Sequence, residues 1–169
     1  MFSTIKDALA RRKLKKLFGR YMTEDGFNEC WESRDKPLIP KTCELCIVVI
    51  QFDAVETVAL EAMLSSCLDL AVVHKGVVDS FVSHLVVVCF GMRDWSPIEG
   101  YRAYVEALTT NFGKHVKVSY SSGAGLVGIF GSAKRMSYTF IHPAFPKVLA
   151  ELGTMPWGEA HGVLWPNAV

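Results

Sequence analysis

The chain has 169 residues, 50% of them hydrophobic and 21% charged, with a formal net charge of +1. That balance belongs to a globular protein rather than a disordered one, and the length suits one domain with an appendage. Near-neutral charge argues against bulk affinity for nucleic acid or acidic membranes, and no apolar run reaches the ~20 residues of a membrane helix.

The first residues, Met1 to Asp7, are charged too early for a secretory signal. The five cysteines lack a framework spacing, so they read as reduced thiols in a cytoplasmic protein. Residues 3–22 predict a basic amphipathic helix. Ile5, Leu9, Leu14, Leu17, Phe18 and Tyr21 can form a stripe, and Arg11 to Lys16 cluster charge around it. A membrane-surface contact and a partner helix are the functional readings. A solvated face on a helix that docks on its own domain, or on a second copy, is preferred, because the stripe is short and lacks a Trp anchor. Thr23 to Thr42 contains Pro37 and Pro40 and reads as a linker. Residues 1–42 are therefore expected to be a helix and linker, and residues 43–169 the domain.

Cys43 to Cys46 is a CxxC with no second CxxC or His pair, so it reads as two thiols entering a strand rather than a zinc site. The run from Cys46 to Phe52 is apolar almost without a break, which predicts a strand buried on both faces. It ends on Asp53. The carboxyl end of such a strand is where ligands sit in open α/β sheets, although Asp also ends strands as a plain turn former. Leu60, Met63, Leu64, Cys67, Leu68 and Ala71 then follow helical spacing, and Gly76 is expected to end that helix. Val77–Val82 and Leu85–Phe90, joined by Ser83-His84, predict a hairpin. After a loop from Gly91 to Gly100, Tyr101, Val105, Leu108 and Phe112 mark a second helix. Three short strands follow, at Val116–Ser121, Leu126–Phe130 and Tyr138–Ile141, then a helix at about residues 146–152. The tail reads as irregular or as one edge strand. Gly123, Gly125, Gly128 and Gly131 do not have P-loop spacing, and tight turns together with close backbone approach explain them better. The order β-α-β-β-α-β predicts an α+β sandwich of the ferredoxin-like type, with helices on one face of a largely antiparallel sheet. An RNA-binding sheet is disfavoured, because the strands lack alternating exposed aromatics.

Several segments together resemble the class III adenylate and guanylate cyclase catalytic domain. Leu17 to Asp25 resembles the entry segment before many bacterial cyclase domains. Gln51-Phe52-Asp53 stands where that family has F-x-D. Lys75 to Gly91 is similar to its G-G-x-V-x-K-x-x-G-D hairpin, and Gly123 to Ile141 to its G-rich segment ending in R-x-x-Y-T-x-I-G. The resemblance covers about residues 17 to 153. It implies a domain that pairs head to tail and uses two carboxylate-bound metal ions, Mg or Mn, on ATP or GTP.

The same resemblance marks where this chain departs. Asp53 matches the first metal carboxylate, but the second falls on His84, after Ser83 in place of a glycine. The adenine-recognising lysine falls on Ser80, and Thr139 matches a base-recognition position. The ribose-orienting asparagine falls on Pro146, and the arginine for the transferring phosphorus on Ala150. Imidazole is a poor ligand for hard Mg²⁺. Loss of one transition-state donor alone typically costs ~10²–10³ in rate. The expectation is a non-catalytic, cyclase-like signalling domain. It would act as a homodimer, or as a heterodimer with another cyclase-type domain, through an interface including Leu14, Leu17, Phe18 and Tyr21. No cofactor is expected, and Mg or Mn would enter only with residual ATP binding. The alternative is a divergent cyclase or nucleotide-binding enzyme using Asp53 and His84 with a metal ion.

Overall fold

The computed structural model describes residues 2–18, 24–32, 40–53, 57–92, 96–132 and 135–164. They divide into two compact units, Met1–Ile39 and Pro40–Val169. The first unit holds helices α1 (Phe2–Phe18) and α2 (Glu24–Glu32). Arg11 donates from Nη2 to Asn28 Oδ1 at 2.7 Å, and Lys15 pairs with Glu24. The segment read as linker thus contains a helix, and that helix buries Phe27. Of the expected apolar stripe on α1, Leu9 and Leu14 are exposed. Tyr21 and the side chains of Ile5, Leu17 and Phe18 lie outside the described residues.

The second unit is built on β1 (Lys41–Phe52). Helix α3 spans Thr57–Val73, followed by strands β2 (Val77–Val82) and β3 (Leu85–Phe90). Helix α4 (Gly100–Phe112) leads through a 3-10 turn (Gly113–His115) into β4 (Val116–Ser132). β5 (Arg135–Ile141), helix α5 (Phe145–Thr154) and β6 (Ala160–Gly162) complete it. The sheet order is β2-β3-β1-β4-β5, with β6 on β4. All pairings are antiparallel except that of β6. With α3 and α4 as crossovers, the first four strands have the expected ferredoxin-like order.

Successive side chains of a strand point to opposite faces. On β1, Cys46, Val48, Ile50 and Phe52 join the core under α3 and α4. Leu45, Ile47 and Val49 face the other way and pack with Val148 and Leu152 of α5. Residues 45–50 of β1 are completely buried, which is why they carry no polar alternation. The helices therefore do not all lie on one face, because α5 covers the second. The same alternation separates Cys43 from Cys46. They are three residues apart on a strand and belong to opposite faces, so no single ion can bind both. Burial pushes the Cys46 thiol up to about 12 and Cys67 up to about 11, which keeps both protonated.

Glycine accounts for one difference from the expected element boundaries. The two strands predicted at Val116–Ser121 and Leu126–Phe130 are one continuous strand, β4. Its glycines provide space rather than a break. A Cβ on Gly125 would lie 2.7 Å from Leu45 Cδ1, and one on Gly128 would lie 2.7 Å from Pro40 Cα. At the end of α3, Gly76 is not the left-handed residue. Lys75 is, at φ 61. The Gly76 amide reaches the Ala71 carbonyl at 2.7 Å and the Lys75 amide reaches Val72 at 3.0 Å, the paired bonds of a Schellman ending.

The tail forms the edge strand β6, which lies parallel to β4. Among the described residues no helix is long and apolar enough to cross a membrane.

Candidate functional site

The carboxyl end of β1 lies between two backbone neighbours. The Phe52 amide donates to the His84 carbonyl at 2.9 Å, and the Asp53 amide to the His115 carbonyl at 3.0 Å. The β2–β3 turn and the start of β4 therefore flank Asp53 on either side. The Asp53 carboxylate is half-exposed, and its Oδ2 lies 3.4 Å from His115 Nδ1. No local sequence signal ties His115 to Asp53, since 62 residues separate them.

Ser83 and His84 form the tip of the hairpin between the paired residues Val82 and Leu85. Ser83 has φ 56, a left-handed conformation that favours glycine. His84 is partly buried and held on both sides. Its Nε2 is 3.1 Å from Gln51 Nε2, and its Nδ1 is 3.2 Å from Ser83 Oγ. Whichever way the Gln51 amide is turned, one ring nitrogen faces it and the other faces the hydroxyl. Gln51 could have been suspected from sequence, because it stands two residues before Asp53 and so on the same face of β1.

Ser80 follows an irregularity in β2, where the register shifts between Val78 and Ser80. The bulged residue is Asp79, whose Oδ1 accepts a hydrogen bond from the Thr139 hydroxyl of β5. β2 and β5 are at opposite ends of the strand order, so this contact requires a curled sheet. Asp79 is a residue that sequence reasoning passed over, although it adjoins Ser80.

Pro146 is in the first turn of α5, where a missing amide costs nothing to the helix. Ala150, one turn further on, is exposed. His142, buried just before α5, organises the start of that helix. Its Nδ1 accepts the Ala144 amide at 3.2 Å, and its carbonyl accepts the Phe145 amide at 3.1 Å. Burial holds the His142 pKa below the ordinary histidine value, against the opposing effects of the Gly123 backbone and of Glu44. In β6, His161 bridges two carboxylates, one of them on α5. Nδ1 lies 2.8 Å from Glu151 and Nε2 lies 2.7 Å from Glu159. Both nitrogens must carry protons to donate to both, and these bonds raise the His161 pKa. Lys117 ties the same region together. It donates to the Leu152 carbonyl at 3.3 Å and stands 4.5 Å from the Trp157 ring centroid.

No protein-family model matches the chain, and no curated protein matches it by sequence. Solved structures do match. The adenylyl cyclase CyaB from P. aeruginosa superimposes with a TM-score of 0.54 at 21% identity, covering 73% of this chain and 78% of that one. A bacterial light-regulated adenylyl cyclase gives a TM-score of 0.62 at 16% identity, covering 94% of this chain and 55% of that one. The guanylate cyclase domain of RhGC from Catenaria anguillulae, solved in complex with GTP, gives 0.60 at 10% identity, covering 72% and 79%. The chain has the class III nucleotide cyclase fold. It spans only about half of the light-regulated protein.

The sequence resemblance is what would put two metal ions at Asp53 and His84. His84 as placed does not suit that task. Asp53 faces His115, and both nitrogens of His84 are already engaged, so neither offers an uncommitted lone pair on that ring. Among the described residues no group of three or more His, Cys, Asp or Glu could hold a metal ion. Thr139 has its hydroxyl committed to Asp79. Where the resemblance implies a lysine and an arginine, Ser80 has a short hydroxyl side chain and Ala150 has no side-chain donor. The arrangement can present hydrogen-bonding groups to a ligand.

Proposed function

We propose that this chain is a non-catalytic cyclase-like domain that acts in signalling by pairing with a second cyclase-type domain, either its own copy or a different chain. The observation that carries this reading is the engagement of both His84 ring nitrogens with Gln51 and Ser83, at the position where a cyclase needs a second carboxylate. Ala150 and Pro146 support it from the other half of the site, because neither side chain can donate a hydrogen bond. These groups would act as a unit in an active enzyme, so their separate costs do not sum.

The rival reading, a divergent cyclase using Asp53 and His84 with a metal ion, would require His84 to surrender one of its two partners. Purified protein with ATP or GTP and Mg²⁺ or Mn²⁺ is expected to yield no cyclic nucleotide. Turnover that Asp53→Ala abolishes would overturn the proposal. Pairing has its own test. Sedimentation at micromolar concentration should show a dimer, and obligate interfaces commonly bury more than ~2,000 Å² in total. A monomer would rule out self-pairing and leave only the heterodimer. Among related folds, a guanylyl cyclase domain from Blastocladiella emersonii was solved as a non-canonical dimer.

A further inference from the structure

The charge of the chain is segregated, which the overall balance of +1 conceals. Helix α1 holds Lys6, Arg11, Arg12, Lys13, Lys15 and Lys16 against Asp7 alone, a net +5. The remaining residues therefore carry −4. Arg11 and Lys15, four apart and so on one line of the helix, are spent on Asn28 and Glu24 of α2. At 3.6 residues per turn, Leu9, Lys13 and Lys16 lie on the opposite side, with Arg12 at its margin. Residues 7–16 are all exposed, and Leu9 is 56% so. Arg12, Lys13 and Lys16 make no ion pair among the described residues.

We propose that this face of α1 docks on an anionic lipid bilayer surface. A phosphate-rich surface complements the cations, and the exposed leucine among them selects lipid over nucleic acid. Leu9 can enter the headgroup boundary while the lysine and arginine stems extend along it and keep their charges in water. A nucleic-acid surface would make no use of Leu9. The described exposed residues of α1 also offer no aromatic to stack on bases and no amide to read them. The helix is about 25 Å long, enough to lay these cations along one leaflet. Each is worth about fivefold in binding near an anionic surface.

The test uses the full chain and vesicles of phosphatidylcholine, with and without 30% phosphatidylserine, in a co-sedimentation assay. Binding should require phosphatidylserine and should disappear at high salt, where the Debye length falls to a few Å. The triple variant Arg12→Gln, Lys13→Gln, Lys16→Gln keeps good helix formers and should bind roughly a hundredfold more weakly. Its far-UV circular dichroism should be unchanged, and Leu9→Ser should weaken binding further. Four results would each overturn the inference. These are no binding to phosphatidylserine vesicles, equal binding to pure phosphatidylcholine, undiminished binding by the triple variant, or tighter binding to a polyuridine RNA than to the vesicles at the same ionic strength.

Discussion

The junction between α3 and β2 carries the hairpin that bears Ser80 and His84, and a pair of substitutions there tests how it is built. Gly76 and Lys75 are adjacent, but their roles differ. If glycine were present for a left-handed backbone, Gly76→Ala would cost the ~1–2 kcal/mol of that conformation. The left-handed residue is instead Lys75, at φ 61. Gly76 is needed because a Cβ there would lie 2.6 Å from Val88 Cγ1 and 2.7 Å from Phe90 Cζ. Both side chains are fully buried and cannot swing away. Overpacking of that kind costs about 1–3 kcal/mol, against the ~0.4–1 kcal/mol that Gly→Ala gains where it fits. Lys75→Gly should behave in the opposite way. It relieves about 1 kcal/mol of left-handed strain and gives back part of that through the greater freedom of an unfolded glycine. Urea unfolding followed by circular dichroism gives both values from the midpoint at constant slope. Gly76→Ala should lower the midpoint and Lys75→Gly should raise it slightly. A stabilising Gly76→Ala would refute the packing argument, and a clearly destabilising Lys75→Gly would refute the assignment of the cap.

Three further outcomes follow from the same structure. His142 has a depressed folded pKa, so its contribution is complete above the unfolded value of about 6.5 and is lost as pH falls through the folded value; between pH 7.5 and 5.5 the urea midpoint should fall less in His142→Met than in the parent. His161 has a raised folded pKa, so its clamp is complete below the unfolded value and is lost as pH rises through the folded one. Exchange of the Val118 and Val163 amides, which bond the tail to β4, should therefore quicken at higher pH beyond the intrinsic rate, and His161→Gln should abolish that excess. Tyr104 is fully buried, with its hydroxyl 3.2 Å from Cys67 Sγ and 3.3 Å from the Cys67 carbonyl. Tyr104→Phe should cost about 1 kcal/mol in denaturant unfolding, and a neutral result would mean that the hydroxyl bond contributes nothing net.

The apolar run of β1, the hairpin spacing and the helical periods of α3 and α4 were all legible in the sequence, because each is a local pattern set by which faces of one element meet the core. The separation of Cys43 from Cys46 was equally implicit, since three residues along any strand reverse the face. The short strands at Val116–Ser121 and Leu126–Phe130 were misread, because a glycine placed for close approach looks in sequence like a glycine placed for a turn. Only the neighbours Leu45, Ile141 and Pro40, distant in sequence, distinguish the two. α2 was missed for a related reason. Pro37 and Pro40 drew attention to the stretch, while the burial of Phe27 that favours the helix depends on packing within its unit.

At the candidate site, the resemblance to the class III cyclase domain pointed to Asp53, Ser80, His84, Thr139, Pro146 and Ala150, and only Asp53 stood out from its place at the end of an apolar strand. Their partners were a matter of tertiary structure. His115 reaches Asp53 because β4 pairs with β1, Gln51 reaches His84 because the turn closes over the strand end, and Asp79 reaches Thr139 because the sheet curls. The hydrogen-bonding capacity of a side chain is written in the sequence, but whether that capacity is free or already spent depends on which distant strands the fold brings beside it.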